Sequence, residues 1–135
     1  MIIAVDFDGI LCEDAFPEIG KPNYSVISTV RQLIDAGHEV ILWTSRVDGR
    51  LKEAVKWCND YGLYFCAINE NAPNNLARYG TDPRKVYADV YIDDRSLFFW
   101  SKIFGYEKQY HSRNTSTQMV IDEVTQNISK YILNK

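Results

Sequence analysis

Four short apolar runs, each closing on a polar or acidic cluster and separated by stretches of helical spacing, commit this chain to alternating strands and helices. Residues 2–5 (Ile-Ile-Ala-Val) lead directly into Asp6-Phe7-Asp8-Gly9. A continuous apolar run, rather than an alternating one, suits a central strand covered on both faces. Over residues 24–36, Val26, Ile27, Val30, Leu33 and Ile34 recur at helical spacing. Asn23 or Ser25 can cap that helix and Gly37 can end it. Residues 39–43 read as a second strand closing on Thr44-Ser45-Arg46. Leu51, Ala54, Val55 and Cys58 then mark a second helix that stops near Gly62. A third strand covers residues 64–68, and a polar loop with Asn69, Asn71, Pro73, Asn74 and Asn75 follows it. After a short helix near 75–79, residues 88–92 form a fourth strand that ends in Asp93-Asp94-Arg95. Val120, Val124, Ile128 and Ile132 give a last helical pattern over 117–133, expected to pack on the sheet.

Right-handed crossovers between such strands give a mostly parallel sheet, so the expected fold is α/β, a Rossmann-like three-layer α/β/α sandwich. Ligands of such sheets bind outside the carboxyl ends of the strands. Asp6/Asp8, Thr44/Ser45 and Asp93/Asp94 all follow apolar strands, and the fold would bring them to one crevice.

At 135 residues and 46% hydrophobic content, the chain fits one domain of about 1–135, with the motifs within residues 1–97 and an extension over 98–135. No apolar stretch approaches the roughly 20 residues of a membrane helix, so no membrane partner is expected. The N-terminal run has no basic segment before it and reads as a strand rather than an export signal. Cys12, Cys58 and Cys66 are odd in number and lack Cys-x-x-Cys spacing. Reduced thiols and a cytoplasmic location are the expectation, which makes the sequons at Asn23, Asn114 and Asn127 chance matches. A net charge of −3 provides no general attraction to nucleic acid.

In order and strand context, the polar clusters resemble the four motifs of the haloacid dehalogenase-like superfamily of phosphohydrolases. The first motif, Asp-x-Asp after a strand, is Asp6-Phe7-Asp8; the second, a Ser or Thr after the next strand, is Thr44. The third, a Lys, is best matched by Lys85, with Arg84 adjacent and Arg78 and Lys102 also available. The fourth, an acidic pair after another strand, is Asp93-Asp94. The resemblance covers residues 1–97. Ile10 stands where many members have Thr.

The resemblance implies a Mg2+-dependent phosphomonoester hydrolase. A divalent cation offsets the repulsion between a carboxylate nucleophile and a phosphate, and Mg2+ suits a site of oxygen ligands alone. Asp6 would ligate Mg2+ and attack phosphorus, forming an aspartyl phosphate. The Asp8 backbone carbonyl and the Asp93 side chain would complete much of the coordination, with Asp94 acting through water or holding those ligands in place. The Asp8 carboxyl would protonate the leaving oxygen and then take a proton from the attacking water. Thr44, with Ser45 beside it, and Lys85 would bind the phosphoryl group. Asp8 also separates the chain from dehalogenases, which need no acid for a halide.

Plainer roles exist for the same residues. Thr44, Ser45 or Asp48 could cap the second helix, and Lys85 could belong to a solvated basic loop. Arg46 and Arg95 read as surface ion-pair partners or loop anchors, and His38 and His111 as structural or solvent-facing groups. Only about 14 residues separate Gly9 from the first helix, so no cap domain fits. Residues 10–23, with Phe16, Pro17, Gly20 and Pro22, read as a small flap at the crevice. Phe16 could touch substrate or pack locally. The run Leu97-Phe98-Phe99-Trp100 could seed a homo-oligomer interface if exposed, or be buried as a strand or under the last helix.

Two other classes share these features. A phospho-receiver domain carries its phosphorylated Asp after the third strand, where this chain has Asn69-Glu70-Asn71. A non-enzymatic binding domain could retain the fold, although it would have no need of both Asp6 and Asp8. The substrate class stays open: sugar phosphates, nucleotides, nucleic-acid ends and phosphoproteins all present the group these motifs read.

Overall fold

Strand β1 (Ile2–Val5) runs through the middle of a four-stranded sheet, with hydrogen-bonded neighbours on both sides and Ile3, Ala4 and Val5 buried. The structure, a computed structural model, describes residues 1–95. Around β1 the chain forms α1 (Tyr24–Asp35), β2 (Glu39–Leu42), α2 (Asp48–Asp60), β3 (Ala67–Ile68), α3 (Pro73–Tyr79) and β4 (Val90–Ile92). All pairings are parallel, in the order β3-β2-β1-β4. The expected Rossmann-like α/β architecture is therefore present, and no separate cap domain interrupts the described residues. The aromatic run 97–100, Lys102, His111, the sequons at Asn114 and Asn127 and the helical pattern over 117–133 lie outside them.

That order creates the position on which the site depends. The chain steps outward from β1 to β2 to β3, then returns across the sheet to place β4 on the other side of β1. Right-handed crossovers put α1 and α2 on one face and send the β3-to-β4 connection over the other. The core divides in the same way. Ile3 and Val5 of β1 and Val40 and Leu42 of β2 pack with Val26, Ile27, Val30 and Leu33 of α1 and Ala54 and Cys58 of α2. Ile41, Ala67 and Ala72, with Ile2, make the cluster on the opposite face. This is the period-two alternation of strands whose two faces are both covered. The reversal of direction beside β1 opens a crevice at the carboxyl ends of β1 and β4.

Element ends differ from expectation where side chains found other partners. Asn23 does stand at the N-cap of α1, but without a side-chain cap; its Nδ2 donates to the Ile10 carbonyl (2.7 Å), tying the flap to the helix start. Neither Thr44, Ser45 nor Asp48 caps α2, whose N-cap is Val47. Gly37, at φ 83°, follows α1 as anticipated and donates to the Ile34 carbonyl. Only residues 67–68 of the expected third strand join the ladder. Cys66 still donates to the Val40 carbonyl (2.9 Å), whereas Tyr64 is exposed. At β4 the ladder is extended by Asp89, whose carboxylate accepts from the Ile2 amide and whose amide donates to the Ile2 carbonyl, both at 2.8 Å. No described helix is long and apolar enough to cross a membrane.

Phe7, between the two motif carboxylates, is fully buried and meets the Trp57 ring edge-on at 5.3 Å. Its aromatic packing pins the turn that carries both acids. We expect Phe7→Ala to destabilise the protein by about 3–5 kcal/mol, read from the midpoint of urea unfolding; a loss below about 1 kcal/mol contradicts this role.

Candidate active site

Strand register lines up the groups that follow the strands. Val5 pairs with Leu42 and with Ile92, and Leu42 pairs with Ile68. One residue farther on, Trp43 donates to the Val5 carbonyl, Asp6 to the Ile92 carbonyl and Asn69 to the Leu42 carbonyl. Asp6 thus leaves the sheet beside Asp93, with Trp43 and Asn69 in the same row and Thr44 one residue beyond.

Asp6, Asp93 and Asp94 each offer a carboxylate oxygen, and these oxygens lie within 4.8 Å of one another. All three residues are half-buried. Burial, more than any other influence, raises the Asp6 carboxyl to about 7; the charges of Asp93, Asp94 and Asp8 add to the rise, and the 2.7 Å hydrogen bond from the Phe7 amide opposes it. Asp94 is raised to about 6, first by burial and then by Asp93. Asp93 accepts from the Arg95 amide (2.8 Å), while Asp94 Oδ1 is buried without a hydrogen-bond partner among the described residues. Gly9, at φ 81°, makes this crowding sterically possible: a Cβ there would sit 2.6 Å from Asp94 Oδ2. Three carboxylates sharing a half-buried space, one with an unsatisfied oxygen, fit a hard divalent cation with oxygen ligands. A cation there would offset the repulsion and return Asp6 to its ionised form.

Asp8 is outside this group of three. Its Oδ2 accepts from Arg46 Nε (2.8 Å) and its Oδ1 from Arg46 Nη2 (2.7 Å), a bidentate pair. Of the two expected roles, surface ion-pair partner or loop anchor, Arg46 takes the second and is only 1% exposed. Burial is tolerated because the guanidinium also donates to the carbonyls of Pro17 (3.1 Å) and Glu18 (2.7 Å). It further lies 5.1 Å from the Phe7 ring centroid and 5.3 Å from that of Phe16. None of these partners is near it in sequence except through the fold, so only the Arg after a strand-ending Thr-Ser hinted at it. Arg95 does form an exposed ion pair, with Asp14 at 3.6 Å. His38 contacts the Met1 amine at 3.4 Å.

Thr44 is half-buried, and its amide donates to Asn69 Oδ1 (2.8 Å) while its hydroxyl oxygen accepts from the Arg46 amide (3.2 Å). With an acceptor role already filled, the hydroxyl hydrogen is left to donate to a ligand. Asn69, left-handed at φ 53°, is a positioning residue that sequence reasoning treated only as loop; an Asn directly after a strand was its one signal. Ser45 is exposed on the same turn. Lys85 is exposed in the irregular segment before β4 and shares no hydrogen bond or ion pair with Asp6, Asp8, Thr44 or the Asp93-Asp94 pair.

Asp6 and Asp94 hold protons in the folded protein at pH values where the unfolded chain has released them. Without a cation, their contribution to stability is full below about pH 4 and is lost as the pH rises towards about 7. Thermal unfolding in EDTA should show this decline, flattened in Asp6→Asn, and added Mg2+ should raise the midpoint more at about pH 8 than at about pH 5. An identical pH profile for Asp6→Asn, with no Mg2+ effect, contradicts the reading of the cluster.

Neither a protein-family model nor a curated protein matches the sequence. A solved structure of a conserved protein from Bacteroides thetaiotaomicron is similar, with a TM-score of 0.66 and 31% sequence identity over 94% of this chain and 91% of that one.

Proposed function

We propose that this chain, which belongs to the same family as the conserved Bacteroides thetaiotaomicron protein, is a Mg2+-dependent phosphomonoester hydrolase of the haloacid dehalogenase-like superfamily. The observation that carries this reading is the convergence of Asp6, Asp93 and Asp94 at the reversal point of a parallel sheet. The first residue after β3 is Asn69, which argues against a phospho-receiver domain.

Asp6 and Asp93, with the Asp8 backbone carbonyl, would hold the cation, and the unsatisfied Asp94 carboxylate would support it directly or through water. The bound cation supplies charge neutralisation between the nucleophile and the phosphoryl oxygens. An Asp6 oxygen attacks phosphorus as the bond to the leaving oxygen breaks, and the Asp8 carboxyl delivers its proton to that oxygen. Water then attacks the aspartyl phosphate at phosphorus, Asp8 takes the water's proton, and inorganic phosphate leaves with Asp6 regenerated. The Thr44 hydroxyl donates to a phosphoryl oxygen during both steps. Ser45 and Lys85, both exposed, would join the phosphoryl group on substrate binding. Arg46 has its donors committed elsewhere and is not assigned to phosphate.

The substrate is a phosphate monoester, and the absence of a cap among the described residues leaves room for a bulky one. A phosphate-release screen over sugar phosphates, nucleotides, phosphorylated nucleic-acid ends and phosphopeptides, with Mg2+ or EDTA, tests the reading. Release from at least one class should require Mg2+, disappear in Asp6→Asn, and fall about 10²- to 10⁴-fold in kcat in Asp8→Asn. Undiminished turnover by folded Asp6→Asn overturns the mechanism.

A further inference from the structure

Arg46 is the largest fully buried side chain among the described residues, and its contacts join the Asp8 carboxylate to the tip of the flap. One side of the guanidinium fork holds both carboxylate oxygens of Asp8; other N–H groups hold the carbonyls of Pro17 and Glu18 at the tip of the flap. Nη2 serves both, donating to Asp8 Oδ1 and to the Glu18 carbonyl at 2.7 Å each.

The flap is closed at its base by backbone pairing. Glu13 donates to the Lys21 carbonyl, Cys12 bridges to Pro22, and Asn23 donates to the Leu11 carbonyl. Gly20 packs so closely on this base that a Cβ would lie 2.2 Å from the Glu13 carbonyl oxygen. At the tip, Glu18 donates only within the flap, to Ala15, and Phe16 approaches Asp14 Oδ1 at 3.5 Å. Beyond Ile19 packed against the core and two exposed ion pairs, Glu18 with Arg50 at 3.5 Å and Asp14 with Arg95 at 3.6 Å, the tip is tied to the body through Arg46.

We propose that Arg46 is a positioning residue that couples the flap to the Asp8 carboxylate, so that displacing one releases the other. A buried guanidinium keeps its place only while its donors are matched. Lifting the tip removes the Pro17 and Glu18 carbonyls and the Phe16 ring, and loosens the fork that fixes Asp8. Conversely, loss of Asp8 leaves the guanidinium unpaired and frees it to swing away from the flap. In the closed arrangement both Asp8 oxygens accept from Arg46, so movement of the flap changes how firmly that carboxylate is held. Entry of a substrate past Phe16, 62% exposed, supplies that movement. A lysine cannot replace the fork, because its single ammonium cannot hold two carboxylate oxygens and two carbonyls in one plane. The catalytic consequence rests on the phosphohydrolase reading; the mechanical coupling does not.

Hydrogen exchange followed by mass spectrometry on the full chain separates the two. Asp8→Ala removes a group that shares no hydrogen bond or ion pair with Pro17 or Glu18, yet exchange in peptides spanning residues 13–20 should accelerate about tenfold, as it should in Arg46→Lys, with β1 and β2 peptides unchanged. Flap exchange unaltered in Asp8→Ala, or acceleration spread evenly over the sheet, overturns the coupling. For Mg2+-dependent release from p-nitrophenyl phosphate, Arg46→Lys should lower kcat about 10- to 100-fold with KM within about twofold. Unchanged kcat overturns the positioning role. A wild-type protein without any phosphatase activity rejects the phosphohydrolase reading, and the exchange result then decides the coupling alone.

Discussion

Three carboxylates whose oxygens lie within 4.8 Å of one another, at the junction of two parallel strands, form the constraint on which the rest of this structure depends. Burial and mutual repulsion hold Asp6 near neutrality in its proton affinity, and Asp94 keeps a buried oxygen unsatisfied. A fold gains nothing in stability from that arrangement. It persists because β1 and β4 are locked by register, because Phe7 anchors the turn in the core, and because Gly9 leaves space for Asp94. Unsatisfied polarity held in place by a rigid sheet is what supports the proposal of a ligand site here.

Two acids separated by one residue receive opposite surroundings. Asp6 lies among like charges, whereas Asp8 lies against the Arg46 guanidinium. The intervening Phe7 side chain enters the core and turns the backbone so that the two carboxylates face different partners. The two carboxylates are thus set apart by geometry before any ligand is present, which is what supports the different roles proposed for them. Asn69 and Thr44 extend the same logic across β2 and β3, where a left-handed Asn fixes an amide and leaves a hydroxyl hydrogen to donate.

Much of this was legible in the sequence because it is governed by local pattern. Apolar runs and 3.6-residue spacing place β1, β2, β4, α1 and α2 close to their observed ends, and parallel connectivity brings Asp6, Asp93 and Asp94 together. Arg46 was legible only as a charge. Its burial requires acceptors from residues 8, 17 and 18 and rings from residues 7 and 16, and no local rule assembles such a set. Asn23 illustrates the same limit: the N-cap position followed from spacing, but a carbonyl thirteen residues upstream captured its side chain. The β3 ladder is shorter than the apolar run: Ala67 and Ile68 pair with Ile41 and Leu42, Cys66 adds one bond to Val40, and Tyr64 is exposed.

The most direct measurement is a crystal structure of the protein with Mg2+ and beryllofluoride, which mimics a phosphoryl group on a carboxylate and needs no knowledge of the substrate. Beryllium should bond to an Asp6 carboxylate oxygen, with Mg2+ ligated by Asp6 and Asp93 and a fluorine accepting from the Thr44 hydroxyl. A site left empty at saturating concentrations, or beryllium on Asp8, Asp93 or Asp94 instead, would contradict this arrangement.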